Sequence, residues 1–318
     1  MNKKIIGALA ALGGVALAAE FAVHGYLDVM YAERIPMGLM KRRGNRKSDK
    51  NLREIHKFNA RENEWAQTKD IEVIDLKNDR DINLKGYYLP AQEDCNVFVL
   101  FAHGYRSSHS GDPYNFIRFY HEEMKYNFMS VDHVTAGDSE GDYLGFDYFE
   151  SEDMFHWINY LTERFGKDIK IILHGVSMGA ATVCKMASRV PEQVKLIVSD
   201  CGYTSAEDEL INVVKSAGIN NAAQLAFDLF NRMNKRFAKF DLKDTDVRDS
   251  VKNSKVPMLF VHGDADDFVP TRMAFELFDI CGNEKDLLIV EGAAHAESIL
   301  IGADVYKAKL KEFIAKYI

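Results

Sequence analysis

The chain has 318 residues, of which 47% are hydrophobic and 11% aromatic, and its formal net charge is −8. That length suits one large domain with a modest insertion and an N-terminal extension, and the acidic balance, with a pI near 5.7, argues against a nucleic-acid partner. Cys95, Cys184, Cys201 and Cys281 show no paired spacing, and the ten histidines have no Cys-x-x-Cys or His-Glu-x-x-His context. The pattern therefore predicts no disulfide framework, no metal and no cofactor, and Cys184 and Cys201 read as buried thiols.

The start of the chain pairs Lys3 and Lys4 with an apolar run from Ile5 to Ala19, which Glu20 interrupts before Phe21 to Leu27 resume it. Residues 1–28 read as a membrane anchor or uncleaved signal, making the membrane a partner, with the remainder of the chain outside the cytoplasm. Three alternatives stay open. One is secretion after cleavage near Ala16-Leu17-Ala18. Another is a helix packed on a soluble domain. The third is a cytoplasmic location, favoured by Lys41, Arg42, Arg43, Arg46 and Lys47 beyond the segment. Residues 29–70 are charged and helix-prone, and read as a connector.

From residue 71 onward strand and helix patterns alternate. Ile71 to Lys77 and Ile82 to Leu89 predict an opening antiparallel pair around Asn78-Asp79-Arg80-Asp81. Strand patterns follow at Val97 to Ala102, Phe128 to Asp132, Ile169 to Leu173, Leu196 to Asp200, Val256 to Val261 and Asp286 to Val290. Helices are predicted between them, including an amphipathic one over Glu150 to Phe165. Strands separated by helices imply a mostly parallel, doubly wound α/β sheet. The alternation breaks over residues 203–250, where helix patterns at Ala206 to Ser216 and Ala222 to Phe240 have no strand between them. This stretch reads as a short helical lid.

Three motifs carry chemistry. Gly175-Val176-Ser177-Met178-Gly179 joins a strand pattern to a helix pattern, the setting of a nucleophile elbow. The second follows a buried strand as His262-Gly263-Asp264-Ala265-Asp266-Asp267-Phe268-Val269-Pro270. A carboxylate there stands at the carboxyl edge of a parallel sheet. Asp264, Asp266 and Asp267 all compete for the role, and the spacing from His262 to x-x-Val-Pro selects Asp266. The third is Gly292-Ala293-Ala294-His295, with His295 in a short loop after the last strand. The order Ser177, Asp266, His295 is that of α/β-hydrolases rather than of chymotrypsin or subtilisin. On the bland readings Ser177 is a solvated turn residue, His295 a helix cap, and His103, His174 and His262 structural strand-end residues.

With Phe101-Ala102-His103-Gly104-Tyr105 and Asp138-Ser139-Glu140-Gly141, these motifs resemble the α/β-hydrolase superfamily. The likeness is to its serine aminopeptidase-like, or monoglyceride lipase-like, group and to bacterial membrane-linked hydrolases of the Bem46 type. One loop departs from that group: where the group carries Asp-x-Arg-Gly-His-Gly, this chain reads Asp132-His133-Val134-Thr135-Ala136-Gly137-Asp138. The resemblance implies an α/β-hydrolase domain over residues 71–318 and a serine hydrolase acting on a small-molecule carboxylic ester. Ser177 is then the nucleophile, His295 the base and Asp266 the acid, with the amides of Tyr105 and Met178 as oxyanion hole. His103, Gly104 and the lid's Phe227 and Phe230 stand on the substrate side, though the two phenylalanines equally suit the lid's own packing face. The alternatives are a peptide or amide hydrolase of the serine aminopeptidase type and, in another class, a non-catalytic membrane-tethered scaffold.

Overall fold

The computed structural model describes residues 49–318 and the isolated positions Ala19 and Val23, with side chains from Ile55 onward in the main body. The readings of residues 1–28 and of the first half of the connector lie outside the described residues. Among the described residues no helix is long and apolar enough to cross a membrane.

The second half of the expected connector is a helix, α1 (Asp49–Gln67), docked on the domain rather than leading up to it. Its Trp65 Nε1 donates to Glu122 at 2.7 Å and its Ala66 is buried. The predicted strands follow as β1 (Glu72–Lys77), β2 (Asn83–Leu89), β3 (Val97–Ala102), β4 (Asn127–Asp132), β5 (Lys170–Val176), β6 (Val194–Asp200), β7 (Met258–Gly263) and β8 (Lys285–Val290). They form one eight-stranded sheet in the order β1-β2-β4-β3-β5-β6-β7-β8. β2 runs antiparallel to β1, as the sequence predicts, and also to β4, while β4 through β8 are parallel. β3, β4 and β7 are buried at every position. Sheets covered on both faces select such continuous apolar runs.

Side-chain alternation along each strand feeds two cores. From β3, Phe98, Leu100 and Ala102 enter one face together with Trp157 of α3 (Tyr148–Phe165). Val97, Val99 and Phe101 enter the other, with Phe116, Tyr120, Tyr306 and Phe313. Of the helices predicted between strands, the one between β3 and β4 is α-helical only at Tyr114–Arg118, named α2, and continues as a π-helical turn over Phe119–Glu123. The residue after β5 opens α4 (Met178–Met186).

The insertion after β6 consists of α5 (Ala206–Ser216), α6 (Ala223–Phe237) and short helical turns leading to α7 (Arg248–Lys252). Its Phe227, Phe230, Leu242, Val247 and Val251 belong to the same core as Leu173 of β5 and Val183 of α4. The segment is therefore built into the domain and is not a detached cap. α8 (Arg272–Ile280), α9 (Ser298–Ile301) and α10 (Ala303–Tyr317) complete the chain.

Gly86 of β2 shows how tightly the first core is filled. A Cβ there would stand 2.5 Å from the Met129 side chain and 2.8 Å from the ring of Trp157. Trp157 is among the largest fully buried side chains. Removing it leaves a cavity that backbone on the β2 side cannot collapse into. Trp157→Ala is expected to destabilise the fold by about 3–5 kcal/mol, read as a lower denaturant midpoint with the slope unchanged.

Candidate active site

The elbow is a backbone crossing. β5 must end, reverse and enter α4 while lying against the end of β3. A Cβ on Gly175 would meet the carbonyl oxygen of Gly179 at 2.1 Å, and one on Gly179 would meet the carbonyl oxygen of Ala102 at 2.0 Å. Only hydrogen fits at either position. Ser177, at the apex, has φ +57° and ψ −117°. That conformation is costly for a side-chain-bearing residue and persists only where its surroundings over-determine it. Here its amide donates to the Asp200 carbonyl at 2.8 Å and its carbonyl accepts from Ala181 at 3.1 Å.

Ser177 Oγ lies 2.8 Å from His295 Nε2, and His295 Nδ1 lies 2.8 Å from Asp266 Oδ2. The three turn carboxylates sort clearly. Asp264 and Asp267 are exposed, and Asp264 accepts from the Gly292 amide at 2.6 Å. Asp266 is buried. Its Oδ1 accepts the amides of Phe268 and Val269 at 3.0 and 2.9 Å, which fixes the carboxylate plane. Its Oδ2 faces His295 and also His262 Nε2 at 3.2 Å. Burial alone would raise this carboxyl, but the hydrogen bonds of His262 and His295 outweigh it and hold it down at about 2. His262 Nε2 also approaches the Val269 carbonyl at 2.9 Å, so the strand-end histidine braces the acid's own loop.

The loop after β3 passes over the nucleophile. At Gly104 a Cβ would sit 3.2 Å from Ser177 Cβ, and the Gly104 amide donates to Asp112 Oδ2 at 2.8 Å. That amide is committed to Asp112, and Tyr105 is the next residue along the loop. Met178, as the first residue of α4, has an amide with no intrahelical carbonyl to bond. His103 is held within the loop instead of being turned to an open site. Its Nδ1 lies 2.7 Å from the Gly104 carbonyl and its Nε2 accepts the His133 amide at 3.1 Å. Burial lowers its pKa, keeping the ring neutral.

The loop that departs from the family pattern is organised by buried Asp132. That carboxylate accepts the amides of His109 and Asp138 at 2.6 and 2.9 Å and the Tyr87 hydroxyl at 3.1 Å. Phe227 is only 1% exposed, which leaves its ring no free face for a ligand, so for Phe227 the packing alternative describes the structure. Phe230 meets Phe146 edge-on at 6.5 Å, and Phe146 stacks on Tyr105 at 6.3 Å. It is thereby one ring removed from the oxyanion loop.

Sequence reading gave no place beside the triad to three neighbours of this array, Asp200, Glu209 and Cys201, the last read only as a buried thiol. Asp200 ends β6, accepts the Tyr306 hydroxyl at 2.9 Å, and is pushed up to about 7 by burial. The Tyr306 hydroxyl also lies 3.3 Å from His174 Nε2, and His174 Nδ1 lies 2.9 Å from the Tyr120 hydroxyl. This buried polar chain ends beside the triad. Glu209 on α5 is pushed up to about 8 by burial, with the charge of Asp266 adding to the effect. Cys201 directly follows Asp200. Each had one faint signal, a polar residue at the carboxyl end of a strand or on the apolar side of a helix.

A strained serine at a strand–helix crossing, a histidine from the loop after the last strand and an acid from the loop before it, set on this sheet, define an α/β-hydrolase. The comparisons with known proteins agree. A family model described as the prolyl oligopeptidase family matches residues 148–318, more than half of the chain, and the chain belongs to that family. It is thus an enzyme of the hydrolase class. It is 22% identical over 237 residues to an uncharacterized protein, YqkD, of Bacillus subtilis, covering 73% of this chain and 75% of that one. It is also 20% identical over 225 residues to protein bem46 of Schizosaccharomyces pombe, covering 68% and 67% respectively. Among solved structures, esterase Pf2001 of Pyrococcus furiosus superposes with a TM-score of 0.65 at 18% identity, over 80% of this chain and 93% of that chain. The acylaminoacyl peptidase of Pyrococcus horikoshii superposes with a TM-score of 0.60 at 15% identity, over 80% and 43%. The superfamily and the Bem46 likeness expected from the motifs stand. The matching family is named for a peptidase.

The elbow yields a direct test. Gly179→Ala forces backbone against backbone, which no side-chain movement relieves. A loss of more than about 3 kcal/mol is expected, beyond ordinary overpacking, seen as a lower melting temperature or insoluble expression.

Proposed function

We propose that this chain is a serine hydrolase that cleaves carboxylic esters of short or medium acyl chains, or monoacylglycerol-like esters, through an acyl-enzyme on Ser177. The observation that carries the reading is the unbroken contact from Ser177 Oγ through His295 to Asp266, at 2.8 Å in both steps. His295 Nε2 accepts the serine proton as Oγ attacks the acyl carbonyl, then returns it to the leaving alcohol. Asp266, ionised across the working range, holds the Nδ1–H tautomer and stabilises the imidazolium. The amides of Met178 and Tyr105 receive the developing oxyanion. Water then repeats the sequence on the acyl-enzyme.

A peptide or amide substrate is the second reading. It is favoured by membership of a family named for a peptidase. The ester leads because an alcohol leaves more readily than an amine from the same intermediate, and this machinery holds a single proton donor for either. Parallel panels of p-nitrophenyl esters of graded chain length and of aminoacyl amides discriminate the two. Faster turnover across the amide panel would reverse the order.

Ser177→Ala and His295→Ala are each expected to lower kcat by roughly 10⁴-fold or more, with Asp266→Ala somewhat milder. A fluorophosphonate probe should label the wild type and not Ser177→Ala; a folded wild type that resists the probe overturns the reading. A severe Asp267→Ala beside a mild Asp266→Ala would move the acid role by one residue.

The pH profile follows from the same assignments. A protonated imidazole cannot accept the serine proton, so kcat/KM falls on acidification. Asp266 adds no second loss until about pH 2. A loss of activity on the acid side is therefore expected. Activity persisting undiminished to about pH 4 would exclude an imidazole base.

A further inference from the structure

Cys201 has no role in the proposed reaction, yet it lies against the residues that do. It follows the last residue of β6, is fully buried and has φ +49°. Its Sγ, a carboxylate oxygen of Asp266 and a ring nitrogen of His295 all lie within 4.8 Å of one another. The ring nitrogen facing Asp266 is Nδ1. Burial, with the charges of Asp200 and Asp266 beside it, raises this thiol well above its ordinary range, so an ion binding here has to displace the thiol proton.

A thiolate, an imidazole and a carboxylate are the donors zinc takes, at about 2.3, 2.0–2.1 and 2.0–2.2 Å. Ligand atoms around such an ion stand roughly 3–4 Å apart. The present triplet spreads over as much as 4.8 Å, so binding an ion requires its side chains to draw together onto one centre. We propose that Cys201, Asp266 and His295 form an inhibitory site for zinc and other thiophilic divalent cations, superimposed on the back of the triad.

The chemistry is a proton-for-metal exchange. The thiol proton leaves to solvent as sulfur donates its pair to the ion. The ion takes the place of the proton on His295 Nδ1, and that proton moves to Nε2, so the ring stays neutral. Asp266 exchanges its hydrogen bond for a metal bond. Nε2 then donates toward Ser177 Oγ and can no longer accept from it. The ion stops the enzyme by fixing the wrong tautomer while leaving the serine untouched. This inhibitory outcome rests on His295 being the base; the binding itself does not.

Cadmium is the direct probe, because thiolate ligation gives it an ultraviolet charge-transfer absorption. Titrating the full chain should raise that absorption to saturation at a single equivalent. Cys201→Ser, Cys201→Ala and His295→Ala should each weaken it by at least about tenfold, and Cys281→Ser should keep it. In the ester assay zinc should inhibit the wild type and a chelator should restore it. Cys201→Ser should still hydrolyse ester and need at least about tenfold more zinc. Absorption unchanged in Cys201→Ser, or equal zinc sensitivity of the two proteins, overturns the site. Should both Cys201 variants fail to fold, His295→Ala decides on absorption alone. A chain that binds cadmium through Cys201 but hydrolyses no ester upholds the site and overturns the hydrolase reading instead.

Discussion

The centre of this molecule depends on two backbone crossings that exclude every side chain. β5 turns into α4 with Gly175 against Gly179, and Gly179 against the end of β3. Because these contacts involve backbone on both sides, they leave the turn no freedom to relax. Ser177 is forced to a positive φ, at a strain cost of about 1–3 kcal/mol, and its side chain is lifted away from both elements. The strain is supported by the most buried part of the sheet, where β3, β5 and β6 lie side by side. Geometry that local preference opposes is therefore held by packing, and a pre-aimed hydroxyl results.

Around that point the fold sorts its carboxyl groups by environment. Asp266 has four donors directed at it and stays ionised at about 2. Asp200 and Glu209 are buried with fewer donors, and burial raises them to about 7 and about 8. Three acids in one neighbourhood would repel one another if all were charged. Pushing their ionisations apart leaves Asp266 the dominant charge below about pH 7, and that charge faces the imidazole. The polar chain from Tyr120 through His174 and Tyr306 to Asp200 extends this order along the sheet face that carries the second core.

What was legible in the sequence divides along physical lines. Strands buried on both faces write themselves as unbroken apolar runs, so β3 is read at its observed limits. Ser177 and His295 stand in short local motifs whose backbone needs are encoded by neighbouring glycines. The antiparallel pairing of β2 with β4 left no trace, because register between distant strands is decided by which faces must be buried. The docking of α1 was read as a connector, since its burial rests on a few residues such as Trp65 and Ala66 in a charged helix. Phe227 had the composition of a ligand-facing residue, but an aromatic on an amphipathic helix points to whichever apolar partner is nearest, and here that is the core. The places of Asp200 and Cys201 beside the triad were hidden for a different reason. Each meets the triad only through the lateral order of the strands, which no single stretch of chain records.

The same lateral order has a consequence for how the protein comes into being. Ser177 and His295 are 118 residues apart in sequence. Asp266 and His295 sit on loops flanking the edge strand, β8, and Tyr306 of α10 closes the polar chain behind them. Such long-range pairings form late and slowly. During synthesis the elbow leaves the ribosome long before its partners, and the half-made sheet presents the unpaired side of β6 until β7 and β8 arrive. The growing polypeptide is thus a chemically silent precursor with an open sheet edge. Its vulnerability to aggregation and its acquisition of reactivity both end with the arrival of the same last few dozen residues.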